Sequence, residues 1–153
     1  MHSITTRPAV IKDVPTLHEF EQGIIEAERP FDSSLKEGEF HYYNLIELIE
    51  SPEAEVVVAL LDKEIVGSGF IQIKESKPYS KYNLHGYIGL MYVKPAHRGK
   101  GIIQLVTDSL TSWSNSKNIK EVRLKVYDEN SSAVRAYQKA GFMKDLVEMR
   151  LEL

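Results

Sequence analysis

The segment Val93–Ile103, VKPAHRGKGII, constrains the fold of this chain more than any other. It leaves the apolar stretch LHGYIGLMYV (Leu84–Val93), turns at Pro95, carries Gly99 and Gly101, and passes straight into an apolar stripe at Ile102, Ile103, Val106, Leu110 and Trp113. A strand that turns and restarts at once as an amphipathic helix calls for helices packed on a sheet. The turn also has a chemical consequence. The first N–H groups of a helix lack intrahelical partners, and the helix dipole adds partial positive charge there. Glycines at 99 and 101 let the backbone curl so that several N–H groups converge, and Arg98 and Lys100 add charge. A phosphate or pyrophosphate is the natural occupant. With no third glycine the turn is not a dinucleotide fingerprint, and with no Gly-Lys-Ser/Thr it is not a nucleotide-hydrolysing loop.

The remaining pattern fills in a mixed α/β domain. Ser3–Arg7 is expected to form a first strand. Asp13 is placed to cap a helix with Val14, Leu17, Phe20, Ile24 and Ile25 on one stripe, ending before Pro30. Pro30–Glu39 reads as loop and Asn44–Glu50 as a short helix. Ala54–Leu61 and Ile65–Glu75 form a hairpin around Asp62–Glu64. Leu84–Val93 is a strand whose Gly86 and Gly89 suggest a bulge or a close approach. A helix from about Lys100 to Ser116 follows, then a strand over Glu121–Tyr127, a helix from Asn130 to Ala140 closed by Gly141, and a last strand over Val147–Leu153. The order is β-α-α-β-β-β-α-β-α-β, with one domain over residues 1–153.

Composition narrows the function classes. The 153 residues contain no cysteine, which removes thiolate catalysis, disulfides and cysteine-ligated zinc together. A net charge of -3 gives no basic signature for nucleic acid. No apolar run approaches the roughly 20 residues that cross a bilayer, and MHSITTRPAV lacks the apolar core of a signal peptide. The expectation is a cytoplasmic protein without nucleic-acid or membrane partners and without a metal.

A second cluster follows the next strand: NSSAVRAYQKAGF, Asn130–Phe142, with Asn130, Ala133 and Tyr137 along one helical line before Gly141. The pair V-x-P-x-x-R-G-x-G and N-x-x-A-x-x-x-Y-x-x-x-G-F resembles the GCN5-related N-acetyltransferase superfamily. The element order agrees along the whole chain, and the likeness is densest from Leu90 to Phe142. The resemblance implies acetyl-CoA as cosubstrate, with its pantetheine arm added beside Leu90-Met91-Tyr92-Val93. It implies that the Met91 amide faces the thioester carbonyl and the Val93 amide a pantetheine carbonyl. The backbone of Arg98, Gly99, Lys100, Gly101, Ile102 and Ile103 would take the pyrophosphate, Asn130 the CoA arm, and Tyr137 a place near sulfur. Two positions depart from the family pattern: Ala96 where Gln or Arg is common, and Ile103 where a small residue is common. Neither removes a backbone donor.

Acetyl transfer to an amine needs a proton acceptor, an oxyanion donor and an acid for the leaving thiolate. Met91 N–H suits the second role and the Tyr137 phenol the third. The base stays open. The strand position where relatives often carry Glu is Tyr87; His85 shares its strand face, and its ordinary pKa near 6.5 suits proton uptake through water. Glu26, Glu28 and His41 are the other candidates. The acceptor is expected to be a primary amine, of a small molecule or of a protein or peptide, against aromatic walls from Pro30–Tyr43 and Lys77–Tyr87. Only twelve residues follow Gly141, too few for two full strands and a loop. This shortening suggests completion by a second subunit in a homodimer. The contrasting reading is a CoA-binding regulatory module without turnover.

Overall fold

The run AEVVVALL shows how the sheet is made. Val56 and Val58 point to one face and Val57 and Ala59 to the other, and all four are buried, so the strand is covered on both sides. In the computed structural model, which describes residues 3–153, the strands are β1 (Ile4–Pro8), β2 (Ala54–Leu61), β3 (Glu64–Glu75), β4 (Leu84–Val93) and β5 (Val122–Arg123). They form one sheet in chain order, antiparallel from β1 to β4, with β5 parallel to β4. Asp62 and Lys63 alone make the β2–β3 turn, since Leu61 pairs with Glu64, and Asp62 takes the left-handed φ of 57° that such a turn demands.

The helices are α1 (Val14–Glu28), α2 (Leu45–Glu50), α3 (Ile102–Ser116) and α4 (Ser131–Lys139). On one face Leu17 and Phe20 of α1 and Leu45 and Leu48 of α2 pack on Val56, Val58, Phe70 and Leu90. On the other, Ile102, Val106 and Leu110 of α3 pack on Val57, Val66, Ile71 and Ile88. No helix among the described residues is long and apolar enough to cross a membrane. Asp13 stands at the N-cap of α1, but its carboxylate does not cap that helix. It accepts from the two terminal nitrogens of the Arg7 guanidinium (2.8 and 3.1 Å) and from the Val10 amide (2.8 Å), tying β1 to the turn before α1. Arg7 holds its carboxyl below the ordinary aspartate range. Asn44 and Asn130 do cap α2 and α4, accepting from the amides of Glu47 and Ala133.

Two strand expectations are corrected. The strand over Glu121–Tyr127 shrinks to Val122–Arg123, with two rungs to β4, Gly86↔Val122 and Tyr87↔Arg123. The last strand, Val147–Leu153, does not form, and residues 142–153 are without regular structure. Its apolar positions Val147, Met149 and Leu151 are largely exposed. The tail is fastened instead by charge: Asp145 to Arg123 (2.7 Å), Lys144 to Asp128 (3.6 Å), and Arg150 to the Ser33 hydroxyl (3.4 Å). A period of two shows which side chains share a face, not that an edge is available to pair with. Here β5 leaves the sheet too soon to offer one.

Candidate active site

The site grows from a defect in β4. Along the β3–β4 ladder Ser68 pairs with Tyr92 and Phe70 with Gly89, so Leu90 and Met91 together oppose Gly69. That is a β-bulge, and Leu90 takes a φ of 55°, rare for a leucine. The distortion is pinned on both sides. The Ser68 hydroxyl donates to the Leu90 carbonyl (2.8 Å), and the Leu90 amide donates to the Tyr43 hydroxyl at a long 3.5 Å. Gly89 serves a close approach rather than the bulge itself: a Cβ there would lie 2.6 Å from the Phe70 ring and 3.1 Å from the Tyr43 oxygen. Beyond the bulge the Lys94 amide donates to Val66 of β3 (2.9 Å). Strand alternation therefore turns the Val93 and Met91 amides to the opposite edge. Beyond Tyr87 and Arg123 β5 no longer pairs with that edge. The result is a wedge between two parted strands, with backbone donors on one wall.

At the end of β4 the glycine turn has the expected form. Gly99 and Gly101 take φ of 77° and 78°, and α3 starts at Ile102, two residues later than the sequence suggested. The amides from Gly99 to Gln104 have no acceptor among the described residues. The side chains around them face elsewhere. Ile102 and Ile103 pack into the α3 core, and the Tyr92 ring lies tilted against Phe20 of α1 (4.8 Å). The Arg98 guanidinium donates to the Val93 carbonyl (3.1 Å) and lies over the Tyr92 ring. It braces the strand end, and Lys100 is exposed at the turn.

The wedge opens into a cleft lined by Ile24 and Glu28 of α1, Tyr43, β4 from Tyr87 to Met91, Leu124, Lys125, and Tyr137 of α4. Tyr137 is partly buried, and its hydroxyl has no hydrogen-bond partner among the described residues. Burial, and secondarily Glu28, pushes its pKa up to about 12. Glu28 is half-buried, and burial followed by the nearby Asp32 raises its carboxyl above the ordinary glutamate range. Tyr87 is raised by burial and by Glu28 as well. The Tyr127 hydroxyl donates to Asp32 and its ring lies along Phe31, so the loop after α1 is tied to the segment after β5.

Met91 and Tyr137 line one cleft, the turn follows the end of β4, and Asn130 sits at the head of α4 with its side-chain oxygen engaged in capping. His85 is not in this group. Its Nδ1 lies 2.9 Å from the Ser76 hydroxyl, outside the cleft lining, and burial followed by the positive charge of Arg123 lowers its pKa. Glu26 faces out, paired with Arg29, and His41 meets Glu21 away from the lining. Glu28 is the candidate that the fold carries into the cleft.

The family model described as Acetyltransferase (GNAT) family matches residues 21–142. The chain belongs to that family. An N-alpha-acetyltransferase of Sulfurisphaera tokodaii is 31% identical over 111 residues, covering 67% of this chain and 65% of the relative. The chain spans less than two thirds of the length of the curated relatives it matches. Among solved structures, a mutant of the BH1408 protein of Bacillus halodurans superposes with a TM-score of 0.87 at 20% identity, over 97% of this chain and 99% of that one. A predicted acetyltransferase of Clostridium acetobutylicum, solved with acetyl-CoA, gives 0.71 at 19% identity, over 98% and 96%. At these identities the structures speak for the fold, and both share it across nearly the entire chain.

Proposed function

We propose that this chain is an acetyl-CoA-dependent N-acetyltransferase whose acceptor is the free α-amino group of a peptide or protein. The observation that carries the reading is the junction of three parts: a bulged strand edge with free amides, a two-glycine turn with unpaired amides, and a cleft that joins Glu28 and Tyr137. The donor fits these parts. A diphosphate suits the row of unpartnered amides from Gly99 to Gln104, and an amide-bearing arm suits the open edge of Met91 and Val93. When bound, acetyl-CoA supplies the activated acyl group.

The chain's residues then divide the work. The α-ammonium gives its first proton to solvent, and Glu28 takes the second as the neutral nitrogen attacks. The amine nitrogen bonds to the thioester carbon while the Met91 N–H donates to its oxygen. As the carbon–sulfur bond breaks, Tyr137 donates a hydrogen bond to the departing thiolate without giving up its proton. An α-amine with an ordinary pKa near 8 asks less of one carboxylate than a lysine near 10.4. This and the name of the Sulfurisphaera relative favour the α-amine over a side-chain or small-molecule amine.

Thiol release from acetyl-CoA with peptides bearing free N-termini tests the proposal. CoA that raises the melting temperature while no peptide or small amine elicits thiol release would favour the regulatory module instead. Within the enzyme, Glu28→Gln should lower kcat by about 10²-fold. Wild-type kcat/KM should rise with pH as Glu28 loses its proton, and since its pKa is raised, that limb should lie above the ordinary carboxylate range. In the variant only the amine's own deprotonation should shape the acid limb. An unchanged profile assigns the proton to another group.

Homodimerisation remains part of the reading. Val147, Met149 and Leu151 are apolar and largely exposed among the described residues, which a second subunit would cover. Sedimentation that shows only monomer at high concentration rejects it.

A further inference from the structure

The cleft makes no use of a carboxylate buried in α1. Glu21 is 0% exposed and stands between Leu17 and Ile25 on the helix face that packs on the sheet. Burying an ionised carboxylate is costly unless charge or hydrogen bonds compensate it. Asp13, the other buried carboxylate among the described residues, has Arg7 beside it. Glu21 has no lysine or arginine; its ion-pair partner is the imidazole of His41. Oε2 accepts from the amides of Tyr42 (3.0 Å) and Tyr43 (2.9 Å), while Oε1 faces His41 Nδ1 at 2.5 Å. His18 lies three residues before Glu21, on the same face of α1, and its ring sits 4.9 Å from that of His41. One ligand atom from each of His18, Glu21 and His41 lies within 4.8 Å of the others.

We propose that His18, Glu21 and His41 form a binding site for a divalent transition metal of the Zn2+ type. Two imidazoles and one carboxylate are the donors that Zn2+, Co2+ and Ni2+ favour over Mg2+ and Ca2+. Three protein ligands leave room for water, and His41, about half exposed at its side chain, opens the site to solvent. The Tyr42 and Tyr43 amides fix the carboxylate so that its second oxygen meets the histidines, as outer partners of a metal ligand do. The site joins two elements. His18 and Glu21 ride on a helix, and His41 rides on the loop that carries Tyr43 into the cleft. A bound ion fastens that loop to α1.

The competing arrangement is an imidazole–carboxylate hydrogen bond with His18 resting beside it, and binding measurements separate the two without any assay of acetyl transfer. Tag-free protein stripped with chelator is titrated with Co2+, followed by visible absorption, and then with Zn2+ in competition. The expected result is saturation at one equivalent, displacement by Zn2+, and a melting temperature raised by Zn2+. His18→Ala should abolish binding or weaken it by more than about tenfold. That variant should leave the fold intact, because His18 is only partly buried and makes no hydrogen bond among the described residues. His41→Ala, judged folded by circular dichroism, should do the same. Absence of saturable Co2+ binding, or an affinity untouched by His18→Ala, overturns the proposal and leaves Glu21 and His41 as a hydrogen-bonded pair.

Discussion

With aspartate at position 101 the protein should lose CoA binding while keeping its fold. Gly101 adopts φ 78° and ψ 14°, and a Cβ built there meets no atom within 4 Å. The new side chain would therefore disturb space intended for ligand and not the packing of α3. Aspartate is among the residues that tolerate the left-handed region, so backbone strain stays small. Its charge does not. Two unit charges about 4 Å apart repel by about 4 kcal/mol at an effective dielectric near 20, enough to weaken binding by on the order of 10²- to 10³-fold. Gly101→Asn supplies the same bulk and the same backbone demand without the charge, and should retain much more of the affinity. Calorimetric titration with CoA, beside thermal melts without ligand, reads both effects. An aspartate variant that binds CoA as wild type does would place the diphosphate elsewhere and remove the basis for the donor assignment.

The glycine turn was legible because its requirement is local. Left-handed backbone conformations and a helix start are written in residue types a few positions apart, and Gly99 and Gly101 behave as their sequence demands. The same holds for α1, α3 and the β2–β3 hairpin, whose apolar periods match the two-sided core. The bulge was half legible. Gly86 and Gly89 advertised an irregular strand, yet the extra residue lies at Leu90 and Met91, because the bulge is set by the register against Ser68 and Phe70 of β3. Glu28 could be placed near the cleft but not chosen over His85 or Glu26. What distinguishes it is burial beside Tyr137 and Tyr87, a product of how α1 lies across β4. Glu21 did leave a trace. A carboxylate four residues after Leu17 and four before Ile25 interrupts an apolar face, and a charge at such a position asks for a partner. The tail misled for the opposite reason. VEMRLEL has the local period of a strand, but pairing is decided by a distant edge, and β5 supplies two rungs before it departs.

Phenylalanine at position 137 should lower kcat by about 10²-fold and leave the CoA affinity nearly unchanged. The ring of Tyr137 packs edge-on to Phe142 at 6.0 Å, a contact that phenylalanine preserves, and its hydroxyl meets no hydrogen-bond partner among the described residues. Nothing in the fold therefore depends on that oxygen, and its loss should be felt only where charge develops. The magnitude follows from the acidity. At a pKa of about 12 the phenol stays protonated throughout the working range. Compared with a thiol near 8.5 it is the weaker acid, so full proton transfer to the thiolate runs uphill by several kcal/mol. Tyr137 must then act by holding a hydrogen bond that strengthens as sulfur becomes negative, and removing one such donor costs about 10² to 10³ in rate. The same acidity predicts no limb in the wild-type pH profile from Tyr137 below about pH 10, which sets it apart from Glu28. Burst and steady-state kinetics on the variant, with CoA affinity measured separately, test the division of labour. A kcat equal to wild type would mean that the thiolate departs unaided, and that the hydroxyl's isolation in the cleft has no catalytic meaning.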